Sequence, residues 1–489
     1  MSEPGICLLG LGPGDPVLLT RQAWDLINSS EEIYFRTRMH PVVRYLPPSV
    51  RIHSYDQVYE NNESYEQIYN QIIEDVLRLG RRPEGVIYAV PGHPFIAEAT
   101  GPEIARRARE LDIPVRIVEG ISFIESTFSV LGKDPFPQTV VIDALDLTIA
   151  HHPPFPPSVP ALIAQIHSPS IASDVKLTLM AVYPDDHIVQ LVHGAGTSAV
   201  LVESVPLFQV DRSSHVGMVT SLYLPPLGYN TSFESFQELV AHLRSPEGCP
   251  WDREQTHQTL RVHLLEETYE VLAALDDDDP RAMMEEFGDL LLQIVLHAQI
   301  ASEYGEFGMT DILRGIHEKI IRRHPHVFGD MVVHDKETVL RNWEVLKASE
   351  RQAGLKKEES LLDGVSQTLP ALVQAITYQK RVARVGFDWP NMHGVFEKVH
   401  EEIKEVQEAS SKEEREREIG DLLFSIVNLA RWFDTDAESA LRQTNNRFRK
   451  RFMLMEAQAK SQNRSLSDFS EAELDDFWEN AKENENPSS

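Results

Sequence analysis

Glu267 and Glu270 stand three residues apart in an apolar-periodic run, and Glu286 and Asp289 repeat that spacing just beyond a short acidic turn. Residues three apart share one face of a helix. The turn, Asp276 to Asp279 followed by Pro280, carries an N-cap residue and then a proline suited to the first helical position. Glu270 lies six residues before Asp276 and Glu286 six after Pro280; Glu267 and Asp289 lie nine out on either side. In an antiparallel helical hairpin, equal distances from the turn give equal heights, so the four carboxylates are expected to form one cluster. Carboxylates that close repel each other and raise each other's pKa. A hard divalent cation with all-oxygen coordination, Mg²⁺ or Mn²⁺, removes the repulsion. The design recurs: Glu402 and Glu405 repeat the first pair at an offset of 135, Glu418 and Asp421 the second at an offset of 132. Upstream, Cys249-Pro250-Trp251-Asp252 is echoed by Gly386-Phe387-Asp388-Trp389-Pro390. The pattern predicts an internal duplication, with all eight acids as metal-ligating and catalytic candidates.

The elements that must hold these acids are helices. The spacing predicts helices near 233–243, 310–323 and 336–350 around the first hairpin, and near 369–384, 393–409, 412–433, 436–460 and 468–481 in the second copy. Cations at such a site usually carry substrate phosphates, and basic side chains are expected at the distal phosphates. Lys380, Arg381 and Arg384 in the second copy, and Lys319, Arg322 and Arg323 in the first, are the candidates. Trp389 could stack on a base, although a core tryptophan is an equal reading. Asn428, two helical turns after Asp421, could reach a phosphate or ribose; the first copy has Leu296 there. The second copy is therefore the expected stronger site.

These segments resemble the MazG family of nucleoside triphosphate pyrophosphohydrolases. The resemblance rests on Cys-Pro-Trp-Asp, Glu-Glu-Thr-Tyr-Glu, Glu-Phe-Gly-Asp-Leu-Leu and Arg-Arg-His-Pro-His-Val-Phe, and covers roughly residues 233–485. It implies an all-α region, attack at the α–β linkage releasing nucleoside monophosphate and pyrophosphate, and a homodimer.

The first half reads differently. Apolar runs at 6–9, 86–90 and 115–118 each end in a glycine loop, with helices expected near 20–27, 65–79 and 102–110. Alternating strand and helix predicts a parallel sheet, which binds ligands at the carboxyl ends of its strands. From about 139 the pattern turns β-rich, with strands expected at 139–142, 176–182, 188–193, 199–205 and 215–224. Gly10-Leu11-Gly12-Pro13-Gly14-Asp15-Pro16 and Val90-Pro91-Gly92-His93-Pro94-Phe95-Ile96-Ala97-Glu98 resemble the motifs of the tetrapyrrole methylase family, which uses S-adenosylmethionine. The resemblance implies a methyl-donor site at Gly10, Gly12, Gly14, Asp15, Gly92, His93, Pro94, Ile96 and Ser122, in a cleft between two half-domains. His93 stands where many members carry aspartate, which puts the usual tetrapyrrole acceptor in doubt and leaves the methyl acceptor unknown.

The fold class expected is therefore multidomain: an α/β tetrapyrrole-methylase-like domain at 1–228, then an all-α region with two MazG-like repeats at 229–355 and 356–489. Pro225-Pro226-Leu227-Gly228 and Lys356-Lys357-Glu358-Glu359 read as linkers. A net charge of −30 over 489 residues disfavours nucleic acid and anionic membrane surfaces as partners. It does not disfavour a nucleotide, because bound Mg²⁺ reverses the local sign. Two cysteines without a zinc pattern, no signal-like N-terminus and no long apolar run point to the cytoplasm. The competing reading is a nucleotide-responsive regulator whose first domain senses S-adenosylmethionine without transferring its methyl group.

Overall fold

The structure, a computed structural model, describes residues 5–61, 64–331 and 360–485, with a few positions between 335 and 342. The helix expected at 336–350 and the linker at 356–359 lie outside the described residues. The chain divides into two compact units, Met1–Glu247 and Gly248–Ser489.

The first unit opens with a parallel sheet ordered β3-β2-β4-β1-β5, from β1 (Ile6–Gly10), β2 (Glu32–Phe35), β3 (Arg51–Ser54), β4 (Val86–Val90) and β5 (Val115–Val118). Helices α1 (Arg21–Ser29), α2 (Asp56–Asn61), α3 (Tyr65–Leu79), α4 (Thr100–Glu110) and α5 (Phe123–Leu131) complete this half. Side chains alternate across a strand. Along β4, Val86, Tyr88 and Val90 join a core with Ile72 and Val76 of α3 and Ile104 of α4. Ile87 and Ala89 face the opposite layer with Ala23 and Ile27 of α1. Burial on both faces explains why β4 reads as an unbroken apolar run.

The second half holds β6 (Val140–Asp143), α6 (Ala144–Thr148), β7 (Ala161–Ala164), α7 (Pro169–Leu179), β8 (Ile188–His193), β9 (Leu201–Pro206), β10 (Thr220–Leu224) and α8 (Phe233–Arg244). Its sheet runs β6-β7-β10-β8-β9, with β6–β7 parallel and the other pairings antiparallel. The strand expected at 176–182 is not formed: α7 covers most of it, begun by Ser168, whose hydroxyl accepts from Ile171 N, and by Pro169. Ala172, Val175 and Leu179 recur at helical spacing and are buried, so period 3.6 wins over a local apolar run. The stretch 215–224 is strand only from Thr220.

The second unit is helical: α9 (Pro250–Glu254), α10 (Arg261–Asp276), α11 (Pro280–Glu303), α12 (Met309–Arg323), α13 (Pro325–Phe328), α14 (Ala371–Ala383), α15 (Met392–Glu408), α16 (Lys412–Trp432), α17 (Ala437–Ser461) and α18 (Glu471–Glu485). The acidic turn closes as its residues dictate: Asp279 accepts from Arg281 N and Ala282 N at the head of α11. Ser411 caps α16 in the same way, accepting from Glu414 N. Among the described residues no helix is long and apolar enough to cross a membrane.

Candidate metal centres and a glycine cradle

The two hairpins gather their acids. Carboxylate oxygens of Glu267, Glu270 and Glu286 lie within 4.8 Å of one another, and so do those of Glu402, Glu405 and Glu418. In the first group, burial and the neighbouring charges of Asp289, Glu270 and Glu286 hold Glu267 above the usual carboxylate range. Glu286 is raised too, by burial and then by Glu270, Glu285 and Asp289. The fourth acid, Asp289, thus acts on the group through its charge while remaining exposed.

The second group is deeper. Glu402 is 3% exposed. Lys398 Nζ lies 2.8 Å from its Oε1, while its Oε2 is buried without a hydrogen-bond partner. Glu405 is raised by burial and by Glu402, against the opposing charge of Lys398. Asp421 sits exposed on α16, one turn beyond Glu418. A buried carboxylate with one orphaned oxygen, grouped with two more carboxylates, fits an oxygen-coordinated divalent cation.

The basic candidates fare unevenly. Arg381 donates to the carbonyls of Leu361 at 3.1 Å and Asp363 at 2.5 Å, so its guanidinium fastens the segment before α14. Lys380, Lys319 and Arg322 are exposed, Arg323 is half-buried, and Arg384 caps α14. Trp389 is 40% exposed and packs on the start of α15, where a Cβ on Gly394 would come within 2.7 Å of the indole. Asn428 is half-buried and its Oδ1 accepts from Arg431 Nε at 3.0 Å and Nη2 at 2.8 Å.

In the first unit three strand ends meet backbone to backbone. A Cβ on Gly10 would lie 2.5 Å from Gly120 N, and one on Gly120 only 2.2 Å from Gly92 O. Gly12 and Gly92 bridge, and Asp15 N donates to Gly196 O at 2.9 Å, joining the loop to the second half of the same unit. Gly92, at φ +67°, has open space where a side chain would go. A ligand able to approach main chain closely fits this floor. The side chains named with it are engaged locally. Asp15 Oδ1 accepts from Val17 N, and His93 Nδ1 from Phe95 N. Ser122 caps α5 by accepting from Ile124 N, Pro94 is buried, and Ile96 N donates to His93 O.

The comparisons with known proteins agree with this division. Tetrapyrrole (corrin/porphyrin) methylases match residues 5–211, and the MazG nucleotide pyrophosphohydrolase domain matches residues 255–328. The uncharacterized protein YabN of Bacillus subtilis is 41% identical over 494 residues, spanning 98% of this chain and 99% of that one. The chain belongs to the family that joins a tetrapyrrole methylase domain to a MazG domain. The nucleoside triphosphate pyrophosphohydrolase/pyrophosphatase MazG of Thermotoga maritima is 46% identical over 250 residues, covering 51% of this chain and 95% of its own. The nucleoside triphosphate pyrophosphohydrolase of Escherichia coli K12 is 42% identical over 253 residues, 50% of this chain and 95% of its own. The MazG domain match falls on the first acidic hairpin, and these relatives extend over the helical half.

Four features of this MazG half and its methylase domain escape the spacing argument. Lys398 is one turn before Glu402, a signal legible as an i, i+4 pair. Arg431 forks onto Asp388, Nη1 to Oδ2 at 2.9 Å and Nη2 to Oδ1 at 2.5 Å, across 43 residues that no local pattern links. A basic row on α17, Arg447 to Arg451, includes Arg451 5.5 Å from the centre of the Trp478 ring. His40 Nε2 lies 3.1 Å from Gly12 O, and burial lowers its pKa to about 4, so at neutral pH the ring is uncharged and donates to that carbonyl.

Proposed function

We propose that the helical unit is a duplicated, Mg²⁺- or Mn²⁺-dependent hydrolase that splits nucleoside triphosphates into nucleoside monophosphate and pyrophosphate. The observation that carries this is the orphaned Glu402 Oε2 within a group of three close carboxylates, a geometry the first hairpin repeats. Glu402, Glu405, Glu418 and Asp421 would hold the cation in one copy, and Glu267, Glu270, Glu286 and Asp289 in the other. The bound cation supplies charge neutralisation and an acidified water. The chain's own residues do the rest. The acids fix the height at which phosphates sit, and bases such as Lys380 and those on α17 offset charge on the leaving pyrophosphate. The names and identities of the MazG relatives support the reaction type.

The first unit, in the same reading, binds S-adenosylmethionine on the glycine floor and passes its methyl group to an acceptor of unknown identity. Contacts from main chain at Gly10, Gly12, Gly14 and Gly92 and near Ser122 would hold the donor, with His93 at the rim. A homodimer is part of the reading, supported by apolar rows left exposed on one face each of α11 (Met284, Phe287, Leu291, Ile294) and α16 (Ile419, Leu423, Ile426). Two unpaired cysteines, Cys7 and Cys249, suit a cytoplasmic setting.

The test is a nucleoside triphosphate panel with Mg²⁺ on the intact chain, on Glu402→Ala and on Glu267→Ala. Monophosphate plus pyrophosphate is the expected product, with Glu402→Ala the more damaging change. Equal turnover by all three proteins sinks the assignment of the acids, and orthophosphate as the product sinks the reaction type.

A further inference from the structure

Two turns beyond the second acidic pair, a polar clamp joins α16 to the loop before α15. Asp388 receives both outer nitrogens of Arg431, a backbone bond from Trp389 N at 2.9 Å, and the indole Nε1–H of Trp432 at 3.3 Å. These bonds hold the Asp388 carboxyl below the usual carboxylate range, first through Arg431. The pair is largely enclosed, with Arg431 13% and Asp388 26% exposed. The same guanidinium then turns two nitrogens onto Asn428 Oδ1.

That double bond has a chemical consequence. A primary amide has one acceptor end and one donor end. Arg431 carries only donors, so the amide orientation is dictated: Oδ1 faces Arg431 and Nδ2 faces away. Nδ2 makes no hydrogen bond among the described residues. Asn428 therefore presents donors alone to whatever lies beyond it.

Its height along the helix says what that is. At 1.5 Å per residue, Asn428 lies about 10 Å along α16 from Asp421, comparable with the distance from a nucleotide's outer phosphates to its base. Trp389, on the same loop as Asp388, is 40% exposed. We propose that Asn428 and Trp389 form the nucleoside end of the second site: the indole offers a stacking face, and Asn428 Nδ2 donates to an acceptor atom of the base or sugar. Arg431 and Asp388 are positioning residues that fix the donor end outward. The inference rests on the nucleotide-hydrolase reading and deepens it. The favoured substrates are nucleotides presenting a carbonyl or ring-nitrogen acceptor at that point. The first hairpin has Leu296 at the corresponding position, 4% exposed, and cannot make this contact.

The experiment measures kcat and KM for the four ribonucleoside triphosphates with Mg²⁺, and their binding by calorimetry, on the full chain and on Asn428→Leu, Asn428→Asp and Arg431→Gln. Asn428→Leu is expected to raise KM for the preferred nucleotide about tenfold, one hydrogen bond's worth, with kcat little changed. Asn428→Asp, which loses the donor and adds an acceptor, should reorder the base preference. Arg431→Gln should flatten it, since a glutamine amide offers both a donor and an acceptor and the Asn428 amide is then free to turn. Unaltered base ranking and KM in all three variants overturns the inference while leaving the hydrolase reading intact. Nucleotide binding without turnover in the unmodified chain overturns the hydrolase reading instead, and the dissociation constants of the variants then decide the role of Asn428. A chain that binds no nucleotide overturns both.

Discussion

The two acidic hairpins share a plan and differ in how they compensate charge. In the first, Glu267, Glu270 and Glu286 face one another with Asp289 nearby, and the repulsion shows in the raised Glu267 and Glu286. His263, one turn before Glu267, pairs outward with Glu266 at 3.2 Å. In the second, Lys398 occupies the corresponding turn and reaches Glu402 itself. The clamps behind the acids differ too. In the first hairpin His257 and His297 meet Nδ1 to Nδ1 at 2.8 Å, with ring centres 5.1 Å apart and planes within 5°. Those values describe two imidazoles lying head to head and sharing one proton. Burial and then His257 lower the His297 pKa, and its Nε2 is buried without a partner. In the second hairpin the Asp388–Arg431–Asn428 clamp takes that role. Two similar hairpins thus differ in compensation: a lysine one turn before Glu402 offsets charge in the second, and a histidine paired away from Glu267 leaves the first uncompensated.

The comparison can be broken at several points. The largest expected effect is on turnover: Glu402→Ala should lower Mg²⁺-dependent pyrophosphate release by about 100-fold or more, beyond the loss of an outer-shell group, and Glu267→Ala by less. Equal losses would erase the distinction between the copies. Next, Lys398→Met strands a buried carboxylate, and urea unfolding of the metal-free chain should show a loss of roughly 1–3 kcal/mol, recovered by Mg²⁺. The matching His263→Met change, on an exposed pair, should stay within about 0.5 kcal/mol; similar losses at the two positions would mean that Lys398 is ordinary surface charge.

A smaller effect is expected where the regions join. Arg442 Nε lies 2.8 Å from Asp276 Oδ2, both largely enclosed, tying the end of α10 to α17. Arg442→Ala should cost about 1–2 kcal/mol, between the values for surface and buried ion pairs, read from the same unfolding curves. The smallest effect is on pH dependence. Because the folded Glu267 pKa is raised, the fold binds its proton more tightly than the unfolded chain does. Metal-free stability should therefore rise as pH falls through the raised value toward the ordinary glutamate range. Glu267→Gln should flatten that rise in melting experiments, and saturating Mg²⁺ should reverse it, because the ion competes with the proton. A variant with an unchanged profile would place the titration elsewhere.

Much of this architecture is legible in the residues because the signals are local. Asp279-Pro280 stops one helix and starts another, and the two Glu-x-x-Glu runs set faces and heights. The described helices of the second unit therefore fall within a few residues of their expected ends. The glycine runs mark strand ends for the same reason: only backbone conformation is at stake. What stayed hidden depends on partners distant in sequence. Arg381 reads as a phosphate ligand, and nothing near it in sequence announces that its Nη1 also donates to the carbonyls of Leu361 and Asp363. Arg431 gives no sign of Asp388. The α7 region reads as strand because its apolar residues run together, and only the Ser168-Pro169 start and the buried spacing of Ala172, Val175 and Leu179 decide for helix.

The crossing of Gly10, Gly92 and Gly120 limits how the first unit can change over time. Each of the three leaves no room for even a methyl group on Gly10 or Gly120, because the others' main chain already fills it. A single replacement at either would wedge two strands apart, so Gly10 and Gly120 resist piecemeal drift. His93 is under no such restraint: among the described residues its ring accepts only from the neighbouring Phe95 N, so a replacement there would leave the glycine crossing as it is.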